Sequence, residues 1–494
     1  MTIAELPTLT MPSPRTLDKL PVAIIGAGPV GLAAAAQLLE RGIDVVVFEA
    51  GETAGSAVAA WGHTRLFSPW EYLVDEAAGR LLDKTEWHAP AAKKLPFGRE
   101  LVEDYLLPLA ATPELAPRIR YQSTVTDVSR QGMDRTRSAG RSTTPFLLRI
   151  RTGDATTEQL ARAVIDTSGT YSSPNGLTAS GLAPAGIDGI REHLSHALPD
   201  VLGVDRDRFA GRHTLVVGAG HSAANTLLKL ATLAKEESTT TISWAIRGRS
   251  PVRAYGSEND ELEARGQLGS SVHELVRQGR VTLIDQFEID DLEPAADQRV
   301  AVVGRRQGEK TRAEVDRVVN ATGFRPNLEM LREIRLSLDE IVEAPRALAP
   351  LIDPNMHSCG TVYPHGVIEL AHPEPNFYIA GMKSYGRAPT FLLVTGYEQV
   401  RSIADELAGN HGAARRVQLV LPETGVCGPS SSAGGCGPDA EAPASSCGSA
   451  VEAEPSASCC APEVEAEASA SCCAPEAEAE VEVEAEPSAS SCCS

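Results

Sequence analysis

The stretch Val22-Ala23-Ile24-Ile25-Gly26-Ala27-Gly28-Pro29-Val30-Gly31 decides how the chain is read. Four apolar residues in a row suit a strand buried on both faces of a parallel sheet. The glycines then follow G-x-G-x-x-G spacing. Gly26 permits a sharp turn out of the strand, Gly28 beside Pro29 lets backbone approach a pyrophosphate, and Gly31 allows close helix–strand packing. The Ala- and Leu-rich run from Gly31 to Leu39 predicts a helix whose N-terminal amides and dipole favour a phosphate. A second strand, Asp44 to Glu49, ends in an acid eighteen residues after Gly31, placed to accept hydrogen bonds from a ribose.

The same pattern returns about 190 residues later. A strand at Thr214 to Val217 leads into Gly218-Ala219-Gly220-His221-Ser222-Ala223, a helix over Ala224 to Ala234 and a strand over Thr241 to Ile246. Here Ala223 takes the place of the third glycine, a change common where NADP is bound. Where an NAD site would carry an acid, this chain has Arg247 and Arg249. Guanidinium groups suit a 2′-phosphate, which a carboxylate would repel. One flavin and one pyridine nucleotide form a complete electron path, so FAD is expected on the first loop and NADPH on the second.

Two further segments, Ala163 to Thr170 and Arg317 to Phe324, each read as a strand running into a small-residue turn, at Gly169 and Gly323. The predicted fold is α/β with two Rossmann-like domains. The NADP domain, 206–324, is inserted in an FAD domain made of 18–205 and 325–415.

Beyond about Gly425 the composition collapses to Ala, Glu, Ser, Pro, Gly and Cys. Such a segment buries too little apolar surface to offset its ordering entropy, so 425–494 is expected to be a disordered tail. It repeats, at Glu454-Pro-Ser-Ala-Ser-Cys-Cys460, Glu467-Ala-Ser-Ala-Ser-Cys-Cys473 and Glu486-Pro-Ser-Ala-Ser-Ser-Cys-Cys493. From Cys427 onward it carries one Asp, twelve Glu and no basic residue, hence 13 of the net charge of −21, leaving about −8 for the body. A mildly acidic body argues against nucleic-acid binding. No run approaches the ~18 apolar residues of a membrane span, and the first twenty residues lack a secretory pattern, so a cytoplasmic address is expected.

With both loops and the Ala321-Thr322-Gly323 turn, the chain resembles the two-dinucleotide-binding flavoproteins, in their flavin-containing monooxygenase-like branch. It is more closely similar to bacterial FAD/NAD(P)-binding oxidoreductases associated with arsenic-resistance operons. The motifs are Gly62-His-Thr-Arg-Leu-Phe-Ser-Pro-Trp70, Gly218-Ala-Gly-His-Ser-Ala-Ala-Asn225, His357-Ser-Cys-Gly-Thr361 and Gly381-Met-Lys-Ser-Tyr-Gly-Arg-Ala-Pro-Thr390. The resemblance covers about 20–424 and implies an oxidoreductase or monooxygenase acting on a small molecule, with a homodimer as one expected assembly. Arg118 to Val128 resembles the flavoprotein strand that passes the adenine, with Val125 as a backbone contact. Two departures stand out. The monooxygenase fingerprint survives only as Gly189 and His193, with Ile187 and Ala197 in its aromatic places, and Gly381 is followed by Met382 where disulfide reductases have Asp.

Nine of the ten cysteines lie in the tail, and the body offers only Cys359. A flavin disulfide reductase needs a dithiol beside the flavin, so its usual chemistry is not expected. Reduced flavin then passes electrons to oxygen and oxygenates a soft N, S or As centre, or hands them to a substrate or to the tail. Arg65, with Phe67, Ser68 and Trp70, forms a polar–aromatic cluster that could lie over the flavin or substrate. Lys383, Tyr385 and Arg387 follow the strand Phe377 to Ala380, at a sheet's carboxyl end where ligands bind. Thr395 and Gly396 are expected to begin a helix whose N-terminus faces the flavin. Cys359 is a candidate redox or substrate-contacting thiol. The pairs Cys459-Cys460, Cys472-Cys473 and Cys492-Cys493 suit soft ions such as As(III).

Overall fold

The computed structural model describes residues 17–251, 263–353, 362 and 364–419. Residues 420–494, which hold nine of the ten cysteines, lie wholly outside them.

Two modules share one plan. In the first, β1 (Val22–Ile25) is buried along its whole length and leads into α1 (Pro29–Glu40), then β2 (Val45–Phe48). The remaining strands are β3 (Ile119–Arg120), a meander of β4 (Thr124–Arg130), β5 (Phe146–Thr152) and β6 (Ala155–Ala161), and β7 (Ala163–Asp166). The all-parallel sheet runs β16-β7-β1-β2-β3, where β16 is Phe377–Ile379, some 210 residues downstream of β7. Ala33 to Ala36 give α1 a face small enough to sink onto the sheet, and all four are buried. The meander covers the opposite face, packing Val128, Phe146 and Leu148 against Ala23, Ile25 and Phe48.

The second module repeats this with β9 (His213–Val217), α2 (His221–Glu236), β10 (Thr241–Ala245), α3 (Glu263–Arg277) and β11 (Thr282–Ile284). A second meander, β12 (Phe287–Ala295), β13 (Arg299–Arg306) and β14 (Glu309–Val315), precedes β15 (Arg317–Asn320). Its parallel sheet is ordered β11-β10-β9-β15-β8, where β8 is Leu194–Ser195. This second module takes up chain before 206: β8 pairs with β15, and Leu177 and Ile190 pack with the second meander. His193 lies against the Asp316 carbonyl and Arg317, and Gly189 lies against Pro294. The two fingerprint residues are therefore part of the packing of this edge.

The two crossover segments pair with each other. Asn175 donates its backbone N–H to Gly323 and its side-chain amide to the Thr322 carbonyl, while Asn320 donates back to the Asn175 carbonyl. A buried cluster also ties distant chain together. Glu374 accepts from Arg130 and Arg141 with none of the three exposed, which anchors the first meander to the approach of β16. Removing one partner of such a buried group leaves an uncompensated charge, at a cost of ~3–5 kcal/mol.

Candidate functional site

The first cradle is built at the end of β1. Gly26 has φ +101°, a left-handed value that an L side chain rarely adopts. A Cβ on Gly31 would stand 1.9 Å from the Gly26 carbonyl oxygen, so helix and turn meet as closely as glycine allows. At Gly28, by contrast, a Cβ would meet nothing within 4 Å. That open face lies at the N-cap of α1, where no side chain caps the helix and no acid occupies the first turn. Room, first-turn amides and dipole therefore fit a dinucleotide pyrophosphate.

Glu49 stands at the end of β2, as its place in the sequence requires. Its two carboxylate oxygens accept the backbone N–H groups of Ala27 (2.7 Å) and Gly51 (2.8 Å). The acid thus braces the glycine loop. The backbone N–H of Ser123 donates to the Glu49 carbonyl, which sets the start of β4, with Val125, beside the end of β2.

The second cradle has the same form with looser packing. Gly218 has φ +130° and its absent Cβ would clash with the Ala321 carbonyl at 2.1 Å, while Gly220 opens onto free space. Ala223 is fully buried, so helix α2 stands far enough off to accept a methyl group. His221 and Ser222 open α2, again with no side-chain cap and no acid in the first turn. The strand beside it, β10, runs out into Arg247 and Arg249, both exposed. Positive charge at that strand end fits a 2′-phosphate.

Lys383 and its neighbours form a wall on the first cradle. The short helical turn Gly381–Tyr385 follows β16, and Gly381 and Gly396 both approach Val30 of the first loop so closely that a Cβ would touch its side chain. Helix α4 (Leu393–Leu407) therefore presents its first turn, with Thr395, to that loop. The Lys383 ammonium is buried and donates to Asp166 at 2.6 Å and to Ser168 at 3.0 Å. Asp166 ends β7, level with Ile25. The ion pair ties the turn to the sheet beside the cradle, so Lys383 has the geometry of a positioning residue. Gln399 accepts the Gly381 N–H and donates to Ser384 and His365, which completes the buried support. Burial pushes the Tyr385 hydroxyl up, against the Thr395 hydroxyl beside it, so the phenol stays protonated at neutral pH. Arg387 is exposed, with its N–H donating to Val342.

One segment reaches both cradles. Gly55 donates its N–H to the Ala27 carbonyl in the first loop. Twelve residues on, the Phe67 ring meets the His221 ring of the second loop, centroids 5.3 Å apart at 61°. Lys229 of α2 donates to the His63 carbonyl at 3.3 Å. Burial and the nearby Lys229 charge lower the His63 pKa. Arg65 is exposed and lies over Phe97, 4.6 Å from its centroid.

The structure thus gathers Gly26, Gly28, Pro29, Gly31, Glu49, Gly381, Lys383, Tyr385 and Thr395 around one loop, and Gly218 to Ala223 with Arg247 and Arg249 at the other. Gly169 and Gly323 lie on the paired crossovers, both with positive φ. Cys359, His357 and the tail cysteines lie outside the described residues. Asp166, Ser168 and Gln399 were not foreseen. The acid closing the strand Ala163–Asp166 was a readable signal, and Gln399 had none. Among the described residues no group of three or more His, Cys, Asp or Glu is arranged to hold a metal, and no helix is long and apolar enough to cross a membrane. A cavity of about 330 Å³ between β4 and the Glu329–Glu333 turn shares no residue with either cradle.

Solved structures share this arrangement at low identity. Bacillithiol disulfide reductase from Bacillus cereus is 19% identical, with a TM-score of 0.57 over 79% of this chain and 99% of that one. The FAD-bound cadaverine monooxygenase DfoA from Erwinia amylovora is 14% identical, with 0.57 over 82% and 98%. A flavin monooxygenase variant from Stenotrophomonas maltophilia is 21% identical, with 0.52 over 79% and 98%. These likenesses concern the fold. No curated protein matches significantly. The family model for pyridine nucleotide-disulphide oxidoreductases matches residues 23–359, more than half of the chain, and the protein belongs to that family.

Proposed function

We propose that the protein is an FAD-dependent NADPH oxidoreductase of the monooxygenase type, acting on a soft N, S or As centre. The observation that carries this reading is the segment Gly55–Phe67, which links the two cradles, together with a body that holds a single cysteine. Electrons delivered from the second cradle to the first find no dithiol in the body to receive them. Oxygen is then the acceptor. The overall reaction balances as NADPH, H⁺, O₂ and substrate giving NADP⁺, water and oxygenated substrate. Bound flavin supplies the two-electron chemistry. The protein's own groups do the rest: the loop amides bind, Arg247 and Arg249 select the 2′-phosphate, and the Lys383–Asp166 pair holds the wall of the flavin site.

The test is NADPH-dependent oxygen consumption under ¹⁸O₂ with an amine, a thioether and a trivalent arsenical. Label in one product supports the reading. Peroxide equal to the oxygen consumed, with no labelled product from any of the three, contradicts it.

A second reading, placing the protein in arsenic or metal resistance, has its own observation: three repeated cysteine pairs on an acidic tail. Adjacent thiols suit As(III) or a similar soft ion, whose binding deprotonates them despite the surrounding glutamates. Here the tail captures the thiophilic substrate for the flavin domain. Undiminished turnover after removal of 425–494 would end this version and leave the first intact.

A further inference from the structure

We propose that Phe67 is the surface against which the nicotinamide of NADPH is placed, with His221 holding that ring in register. This inference rests on the cofactor assignment above. A dinucleotide on the second cradle has its pyrophosphate at Gly220 and His221, and Arg247 and Arg249 draw its adenosine half toward the end of β10. The nicotinamide half therefore runs the other way, out of the second module. Phe67 of the first module meets the ring of His221, at the start of α2. Its segment begins on the first cradle, where Gly55 donates to Ala27, and Lys229 pins it to α2 through the His63 carbonyl.

A second observation concerns the same stretch. Thr64 is 7% exposed and Trp70 2%, yet among the described residues Thr64 Oγ1 and Trp70 Nε1 have no hydrogen-bond partner, and neither does His63 Nε2. Buried polar groups are rarely left unpaired, and three within eight residues leave hydrogen-bonding capacity that a bound molecule could meet. An aromatic ring also attracts a cationic one. Phe67 should therefore favour oxidised nicotinamide, which carries a positive charge, over reduced.

The experiment uses full-length holoenzyme and its F67A, F67W, H221A and F67A/H221A variants. Three quantities are read: NADP⁺ affinity by calorimetry, the limiting rate of flavin reduction by NADPH under anaerobic stopped flow, and FAD content with thermal midpoint. F67A is expected to lower the limiting rate at least ~10-fold and raise the NADP⁺ Kd ~2–5-fold, with FAD content and midpoint unchanged. F67W restores the rate, and F67A/H221A is no slower than the slower single variant. F67A reducing at the wild-type rate overturns the proposal, as does a loss that follows FAD content and is not restored by Trp. Wild-type flavin that NADPH fails to reduce would overturn the cofactor assignment as well, which separates the two failures.

Discussion

The two glycine loops share a plan and differ in tightness. In the first, Gly31 touches the Gly26 carbonyl, Glu49 folds back onto the loop amides, and Gly55 closes over Ala27. In the second, a buried alanine replaces the closest glycine, the Trp244 indole donates to the Gly218 carbonyl, and the neighbouring strand ends in exposed arginines. A closed cradle suits a cofactor that stays, and an open, charged one suits a nucleotide that exchanges every turnover.

The sharpest way to break this comparison is to exchange the packing residues. Gly31→Ala sets a methyl group against backbone that cannot move aside, so overpacking should cost about 3 kcal/mol or more and abolish FAD retention. Denaturant unfolding and flavin content of the purified protein check it. Lys383→Met leaves Asp166 buried without its cation and should cost ~3–5 kcal/mol, felt in the first module. Lys383→Met with Asp166→Asn should recover part of that loss, because neither charge is then stranded.

Acid separates the modules further. Burial pushes the His372 imidazole, which packs on Phe377 of β16, down to about 4 from its ordinary 6.5. Between those values the unfolded chain binds this proton and the folded chain does not. The contribution of the neutral ring is therefore full above pH 6.5 and is lost as pH falls toward 4, ~3 kcal/mol in all. His372→Phe should flatten this limb of the stability profile, measured by urea midpoints from pH 7 to 4.

In the second cradle, Arg247→Ala with Arg249→Ala should weaken NADPH binding ~10–100-fold and leave NADH nearly unchanged, on ~1.5–3 kcal/mol for charged hydrogen bonds. Isothermal titration with both nucleotides distinguishes this from a general loss. The smallest effect belongs to Ala223→Gly, which should cost only ~0.5–1 kcal/mol with little change in NADPH affinity.

Much of the frame was legible because it depends on local chemistry. Strands β1, β2, β9, β10 and β16 and helices α1 and α2 fall where apolar runs and glycine spacing put them. Glu49, Thr395 and the arginines after β10 could be singled out because strand ends and helix starts carry characteristic residue types. What could not be read depends on contacts between distant segments. Leu194–Ser195 joins the second sheet through a two-residue strand too short to show a period. Lys383 reads from the sequence as a ligand-facing residue at a sheet end, and its buried ion pair with Asp166, 217 positions away, shows only in the tertiary structure. The aromatic cluster after Gly62 was visible, but only tertiary structure divides it, sending Arg65 to Phe97 and Phe67 to the second cradle.

On the proposed function, electrons enter at the second loop and come to rest at the first. Anaerobic titration of the FAD-loaded protein with NADPH, followed at the flavin absorbance, tests it most directly. Full bleaching is expected at one equivalent of NADPH per flavin. NADPH that binds by calorimetry yet leaves the flavin oxidised would contradict it.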